Sequence, residues 1–267
     1  MNRLLVILSL ALAALPVLAS DASAVLAVPR QNVESADFKA SGRLVRVLPL
    51  GQRLNTSMTI KAHWFPGVLR VFVQLGGSQP GSNQPGSSQA DSSQSGLREN
   101  ILLEMRPSGQ NSIRVMRAGD KAPHEIPPAE WKATSIGPGF DIEDFIEPQF
   151  FWQSQTVEEN VKYGARDCDL VTSKPGMADR TDYSQIRTWL DKAISFPVYA
   201  EKTVKGSGEV KEFTYFGLRH DQGVWSASQI EVKLHGHAGS TLLIVERGSA
   251  KAHLTAADFA PAQLEKF

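Results

Sequence analysis

Residues 210–234 read VKEFTYFGLRHDQGVWSASQIEVKL, and this stretch decides the fold class. Val210–Leu218 and Val224–Leu234 carry the valine, isoleucine, threonine and aromatic residues that favour strands. Residues 221–223, at the end of the connection between these runs, read DQG and form a turn signal. Two strand-like runs joined by a short turn predict an antiparallel hairpin.

Similar runs lie on both sides of this hairpin and predict a much larger sheet. In chain order they are Lys39–Leu50, Asn55–Trp64, Val68–Leu75, Glu99–Arg106, Ser112–Ala118, Ser184–Trp189, Val198–Val204 and Ser240–Arg247. We therefore expect a mainly β (α+β) protein whose antiparallel sheet curls to hide its apolar face. Asp141 and Thr255 are expected to cap short helical turns over Ile142–Glu147 and Ala256–Phe259.

A low-complexity segment, residues 76–96, interrupts the pattern with GGSQPGSNQPGSSQADSSQSG. It contains no aromatic residue and no aliphatic one larger than alanine, so it cannot offset its ordering entropy by burying apolar surface. We interpret it as a flexible insert at the tip of a hairpin formed by Val68–Leu75 and Glu99–Arg106. A linker between two domains is the alternative, but it leaves the first domain too few strands. The sequence therefore predicts one domain over residues 25–267.

The N-terminus has the features of a cleavable export signal. Arg3 precedes an uncharged run, Leu4–Ala19, which Pro16 interrupts and which is too short for a membrane-spanning helix. Residues 1–24 are thus interpreted as a signal peptide, with the cut after Ala24 or Ala19. The mature chain is expected in the periplasm, without an integral membrane segment. Its single cysteine, Cys168, is far from either cut, which argues against a lipid anchor.

The sequence contains no recognisable catalytic motif, and we expect no enzyme activity, cofactor or metal. Lysine plus arginine and aspartate plus glutamate number 28 each, which argues against a nucleic-acid partner. Cys168 lies between Asp167 and Asp169, whose charges would raise its pKa and weaken it as a nucleophile. A small buried hydrophobe is the favoured interpretation of this residue. His235 and His237 flank a turn glycine, but two imidazoles do not make a metal site.

Aromatic residues give the clearest hint of a binding surface. Phe213 and Tyr215 share a strand face with Lys211, while Phe216 and Leu218 lie on the opposite face. Apolar groups on both faces imply that the sheet is covered on both sides, or that one face lines a cavity. The candidate residues that line such an apolar cavity are Trp64, Phe72, Phe151, Trp152, Trp189, Phe213, Tyr215 and Trp225.

An ordered set of segments resembles the bacterial outer-membrane lipoprotein-sorting proteins, the relatives of the periplasmic lipoprotein carrier LolA. The similarity extends from about Phe38 to Phe259, and it rests on the order and spacing of the segments. The segments are FKASGR (38–43), ILLEM (101–105), GFDIEDF (139–145), YGARDCDLV (163–171), YSQIRTWLDK (183–192), FPV (196–198) and GVW (223–225). The long N-terminal helix of the carrier has no match in this sequence, and the insert at 76–96 is unusual.

This resemblance implies a strongly curved, half-open antiparallel β-barrel whose mouth is covered by a few short helices. It also implies an apolar concave face that carries lipid or lipoprotein acyl chains, and sorting partners in the inner or outer membrane. Two other hypotheses stay open. One is a structural or protein-binding module of the envelope with a packed core. The other is a secreted hydrolase, which requires that His63, His220, His235 and His237 cluster with a carboxylate.

Overall fold

The computed structural model describes residues 21–76 and 97–267. Most of the predicted signal peptide, residues 1–20, and nearly all of the predicted flexible insert, residues 77–96, lie outside the described residues. A helix, α1 (Ala22–Glu34), opens the described chain, and the Asp21 carboxylate caps it by accepting from Ser23 N at 2.9 Å. A cut after Ala24 would therefore remove the cap and the first residues of this helix.

Fifteen strands follow among the described residues, and all pairing is antiparallel. They are β1 (Asp37–Val47), β2 (Arg53–Phe65), β3 (Val68–Leu75), β4 (Glu99–Met105), β5 (Ser112–Arg117), β6 (His124–Ile126), β7 (Ser135–Gly137), β8 (Phe140–Asp141), β9 (Ser154–Tyr163), β10 (Arg166–Lys174), β11 (Tyr183–Asp191), β12 (Phe196–Val204), β13 (Val210–Asp221), β14 (Val224–Leu234) and β15 (Ser240–Ser249). Short 3-10 helices cover Pro128–Ala133, Ile142–Phe145, Pro148–Phe150, Ala256–Phe259 and Pro261–Gln263.

Thirteen of these strands form one curved sheet in the order β6-β5-β4-β3-β2-β1-β15-β14-β13-β12-β11-β10-β9. The sheet consists of two meanders, and the pairing of β1 with β15 joins them. Within the described residues the sheet ends at β6 and β9, which do not pair with each other. The fold class is confirmed, but the sheet is not closed into a barrel.

A tight contact at Gly42 marks the junction of the two meanders. The register of β1 against β15 shifts between Ser41 and Gly42, as at a β-bulge. A Cβ atom added at Gly42 would lie 1.8 Å from the carbonyl oxygen of Ile244, far inside van der Waals contact. Only glycine fits such a close backbone approach, which explains the glycine in the FKASGR segment.

Most predicted strands are confirmed, and β3 and β14 have the predicted bounds. The direct pairing of β3 with β4 also confirms the predicted hairpin around the insert. The predicted caps are both present, because Asp141 and Thr255 form capping boxes with Asp144 and Asp258. The predicted helix over Ile142–Glu147 is a 3-10 helix that ends at Phe145. Helix α1 and strand β9 were not predicted from composition or periodicity.

Segments of the chain lie on both faces of the sheet, which is one of the two alternatives that the two-sided apolar pattern left open. The chain between β6 and β9, residues 127–153, lies across the inner face, and we call it the cover segment. The C-terminal residues after β15 lie across the outer face, where Leu254, Phe259 and Leu264 pack against Phe72 and Leu102. The inner face and the cover segment that packs on it therefore form the candidate functional site.

Candidate functional site

The inner face of the sheet carries the main apolar core of the molecule. Strands β1 to β6 and β12 to β15 contribute buried residues to it, namely Leu44, Met58, Ala62, Leu69, Val71, Val73, Leu75, Ile101, Leu103, Met105, Ile113, Val115, Ile126, Ala200, Phe213, Val232 and Leu243. The alternation of these strands places their apolar side chains on one side. The result is a broad apolar surface under the cover segment.

The cover segment fills this surface with its own side chains. Trp131, Phe140 and Ile142 are almost completely buried in the same core, and Ile136 and Ile146 accompany them. Strands β7 and β8 pair with each other in a separate two-stranded sheet and not with the main sheet. The cover thus rests on the inner face mainly through side chains.

A cleft of about 640 Å³ opens where α1 meets the end of the cover segment. Arg30 of α1 spans one side, donating to the Phe150 carbonyl at 2.6 Å and to Gln155 Oε1 at 2.8 Å. Phe151 and Trp152 also line the cleft. This is an opening at the edge of the core, next to two of the candidate aromatic residues.

A buried ionic cluster joins the cover segment to the sheet. The Asp144 side chain, which is fully buried, receives Lys202 Nζ on Oδ1 at 3.0 Å and Lys211 Nζ on Oδ2 at 3.1 Å. The Tyr183 hydroxyl donates to Asp144 Oδ1 at 2.5 Å, and Lys211 Nζ donates to that hydroxyl at 2.8 Å and to Asp141 Oδ2 at 2.5 Å. Tyr183, Lys202 and Lys211 belong to β11, β12 and β13, whereas both aspartates belong to the cover.

Charge compensation within this cluster controls its protonation. Burial alone would raise the pKa of Asp144, but Lys211 and Lys202 outweigh it and lower the pKa to about 2. Burial would lower the pKa of Lys211, yet the Asp144 and Asp141 carboxylates raise it. Burial raises the pKa of Tyr183, and the Asp144 charge adds to this effect. Asp144 is therefore ionised at neutral pH beside a protonated Lys211, and the Tyr183 hydroxyl is neutral.

Two further cover carboxylates lie in the same layer. Burial raises the pKa of Glu143 to about 7, although the Thr181 hydroxyl and the Asp182 amide hydrogen bond to it. The Asp182 amide donates to Glu143 Oε2 at 2.9 Å. Burial also raises the pKa of Glu147, whose Oε1 accepts from the Tyr215 hydroxyl at 2.9 Å. The cover therefore contacts the sheet through apolar side chains and a set of buried acidic groups.

Four of the eight candidate aromatics belong to the inner-face core. Phe213 is buried there, and its ring centroid lies 6.4 Å from that of Phe140. Trp64 stacks on Phe151 with centroids 6.0 Å apart, and both pack against the core. Tyr215 packs there as well. The structure brings these residues to the same surface as the cover segment.

The other four candidates lie elsewhere, so the eight do not line one cavity. Phe72 packs under the C-terminal segment on the outer face. Trp189 contacts Tyr199 in another cluster, with ring centroids 5.0 Å apart. Trp152 packs with Tyr183 and Ile186. Trp225 lies beside His220, with centroids 5.0 Å apart, near the β13–β14 turn. The alternation of side chains along each strand did not show whether an aromatic residue lies on the inner or the outer face of the sheet.

Cys168 and the histidines do not form a reactive cluster in the described part of the chain. Cys168 is fully buried, and burial, together with Asp191, raises its pKa. His63 contacts Asp37, while His235 and His237 contact Glu212 and Glu209. Residues 21–76 and 97–267 hold no group of three or more histidine, cysteine, aspartate or glutamate side chains arranged for a metal ion.

The ionic cluster was not predicted from the sequence. The strand pattern placed Lys211 on the face of Phe213 and Tyr215, but it did not single out Lys202 or Asp144. A lysine at a strand position whose side chain faces the core is the sequence signal that could have identified Lys202 and Lys211. Asp144 shows no such signal, because the acidic residues of Ile142–Phe145 also suit an ordinary helix start.

No helix in the described residues is long and apolar enough to cross a membrane.

Comparisons with known proteins agree with this architecture. A family described as "Uncharacterized protein" matches residues 121–266, more than half of the chain. No curated protein matches the sequence. The solved structures that are similar include a DUF1329 family protein from Desulfovibrio piger, with a TM-score of 0.72, 15% identity, and coverage of 90% of this chain and 96% of that one.

Two other similar structures carry the lipoprotein-sorting description. One is a putative outer membrane lipoprotein-sorting protein domain from Vibrio parahaemolyticus, with a TM-score of 0.73, 17% identity, and coverage of 92% and 100%. The other is a LolA superfamily protein from Nitrosomonas europaea, with a TM-score of 0.58, 12% identity, and coverage of 91% and 98%. At these identities the similarity concerns the fold. The chain belongs to the family that matches residues 121–266, and it has the LolA-like fold.

Proposed function

We propose that this protein is an exported, non-catalytic periplasmic carrier that binds lipid or the acyl chains of lipoproteins on the inner face of its sheet. The observation that carries the proposal is the broad apolar inner face under a segment that does not pair with the main sheet. The binding residues on the sheet are Trp64, Phe213 and Tyr215 together with the aliphatic residues around them, and Phe151 of the cover segment packs against them when the face is covered. Delivery to the outer membrane through sorting partners is the cellular role that fits this activity.

The energetics of such an exchange are balanced. Each CH₂ group transferred from water gains about 0.8 kcal/mol, so a chain of about 16 carbons gains roughly 12 kcal/mol. The buried apolar side chains of the cover, such as Trp131 and Phe140, contribute roughly 2 kcal/mol each when they leave water. The five such residues, Trp131, Ile136, Phe140, Ile142 and Ile146, give roughly 10 kcal/mol, a total of similar size. As far as apolar burial is concerned, an acyl chain can therefore replace the cover on the inner face without a large net change in free energy.

The first prediction concerns uptake of fatty acids by the delipidated protein. Affinity, measured by competition with a fluorescent fatty acid, is expected to rise about fourfold for each added CH₂ over a series of saturated chains, which corresponds to about 0.8 kcal/mol. Lipid is also expected to copurify with protein isolated from its own envelope, as detected by mass spectrometry. Absence of uptake at every chain length would contradict the carrier function.

A structural or protein-binding module is the second candidate, and one observation favours it. The chain's own side chains fill the inner face in this structure. A module of this kind would not bind the fluorescent probe, and no lipid would copurify with it. The same uptake experiment therefore separates the two functions.

A further inference from the structure

Two buried lysines face each other across neighbouring strands of the inner face. Lys202 of β12 is paired directly with Lys211 of β13 in the sheet register. Their side chains are only 2% and 6% exposed. Like charges directly opposite in a sheet destabilise it, and a buried ammonium group needs a compensating anion. The sheet therefore presents a cationic position within an otherwise apolar surface.

The anion that compensates these lysines does not come from the sheet. Asp144 supplies it from the cover segment, and Asp141, also in the cover, adds a second carboxylate to Lys211. If the cover moves away, both carboxylates leave with it. Lys202, Lys211 and the Tyr183 hydroxyl remain on three adjacent strands, as two cations and one hydrogen-bond donor.

Apolar groups surround this position closely. Lys202 Nζ lies 4.2 Å from the centroid of the Phe213 ring, and Phe213 belongs to the main inner-face core. A ligand that places an anionic group on the lysines would thus have apolar surface directly beside it. An amphiphile with one negatively charged head and an acyl chain has this shape.

We infer that Lys202, Lys211 and Tyr183 form a head-group site for an anionic amphiphile, in which a carboxylate or phosphate of the ligand takes the place of Asp144. This inference rests on the proposed carrier function and names the class of its ligand. Asp144 acts as an intramolecular stand-in for the head group when the inner face is covered. A neutral amphiphile would leave two buried ammonium groups without a carboxylate in contact, so the site selects against it.

The test compares two probes with the same chain and different heads. They are 12-(9-anthroyloxy)stearate and its methyl ester, measured at pH 8 by fluorescence with the delipidated full chain. The wild-type protein is expected to bind the acid at least tenfold more tightly than the ester. Inorganic phosphate in a parallel titration is expected not to displace the acid, because it has no chain. Displacement by phosphate at the concentration of the acid would overturn the assignment to an amphiphile.

Two variants assign the preference to the cluster. The triple variant Asp144→Asn, Lys202→Met, Lys211→Met removes the negative charge of Asp144 and the positive charges of both lysines. It is expected to bind acid and ester equally. Asp144→Asn alone keeps both lysines and is expected to bind the acid at least tenfold more tightly than wild type does. The control Lys162→Met changes an exposed lysine that pairs with Asp167, and it is expected to keep the wild-type preference. Circular dichroism establishes that each variant is folded.

The outcomes separate this inference from the carrier function. Equal affinity of wild type for acid and ester overturns the head-group site and leaves the carrier function intact. A preference for the acid that survives in the folded triple variant also overturns it. Binding of neither probe by any of these proteins overturns the carrier function and the inference together. If Asp144→Asn does not fold, the comparison of wild type with the triple variant decides the matter.

Discussion

Replacing Asp144 by alanine is expected to lower the free energy of unfolding by about 3–5 kcal/mol at pH 7. The substitution leaves Lys202 and Lys211 buried without the carboxylate that both contact. It also removes the acceptor of the Tyr183 hydroxyl. Urea unfolding followed by tryptophan fluorescence measures the change. The control Asp167→Ala breaks an exposed pair with Lys162 and is expected to cost less than about 1 kcal/mol.

The pH dependence of this difference has a definite sign. Asp144 has a folded-state pKa of about 2, lowered from 3.8, so its ionised form stabilises the folded protein above the unfolded value. The difference between wild type and Asp144→Ala is expected to be constant from about pH 5 to pH 7 and to shrink by roughly 2 kcal/mol as the pH falls from 4 to 2. The Asp144 charge is one of the causes that raise the pKa of Glu143, so the comparison uses Glu143→Gln as a common background in both proteins. A difference that stays constant down to pH 2 would contradict the ionic account.

Replacing Trp131 by alanine is expected to cost about 3–5 kcal/mol of stability, because it leaves a large cavity where the cover segment meets the sheet. The Trp131 side chain is 1% exposed and packs in the inner-face core. Its Nε1 atom donates to the carbonyl of Ile126 at 3.0 Å. Urea unfolding followed by circular dichroism measures the loss without relying on the removed fluorophore.

The neighbouring residue provides the control for this substitution. Lys132 follows Trp131 in the same 3-10 helix and is exposed. Lys132→Ala is expected to change the free energy of unfolding by less than about 0.5 kcal/mol. A loss below about 1 kcal/mol for Trp131→Ala would mean that the cover is not anchored at this point.

Strands with clear alternation could be predicted from the sequence, and polar ones could not. Strand β14 was predicted with its observed bounds, and the turn before it has positive φ at Gln222 and Gly223, as the hairpin requires. Strand β9 reads SQTVEENVKY and lies at the edge of the sheet, with most of its side chains exposed or half-buried. A strand with so little burial has no apolar period to detect. Its place is set by pairing with β10.

Helix α1 was not predicted because two features of its sequence indicate other structures. Ala22–Ala24 resembles a signal-peptidase site, and Pro29 inside the helix suggests a break. Packing across the chain stabilises it, since Leu26 lies fully buried against Phe150 and Leu190. Long-range contacts of this kind cannot be read from a local pattern.

The candidate site was only partly predictable for a similar reason. Local alternation identified Phe213 and Tyr215 as neighbours on one face, and both lie on the inner face. It could not exclude Phe72 or Trp189, because what covers the outer face depends on the path of distant segments. The Lys202–Lys211 pair depends on the register of β12 against β13, which the sequence does not specify.

Locking the cover segment to the sheet tests whether its movement admits the ligand. A Cβ atom added at Gly137 of β7 would lie 2.3 Å from Oγ1 and 3.2 Å from Cγ2 of Thr241 in β15, so the two positions are in direct contact and are chosen for an engineered disulfide, whose formation is checked by thiol titration. The variant Gly137→Cys, Thr241→Cys, Cys168→Ala contains no other thiol and joins the cover to the main sheet when oxidised. Its reduced form and the two single-cysteine variants serve as matched controls.

Uptake of the fluorescent fatty acid by this variant, before and after reduction, is the most direct measurement of the central claim. If the inner face binds acyl chains only when the cover segment moves, the oxidised form takes up at least tenfold less probe and reduction restores the uptake. Equal uptake by the oxidised and reduced forms would contradict the claim that the covered inner face is the binding site.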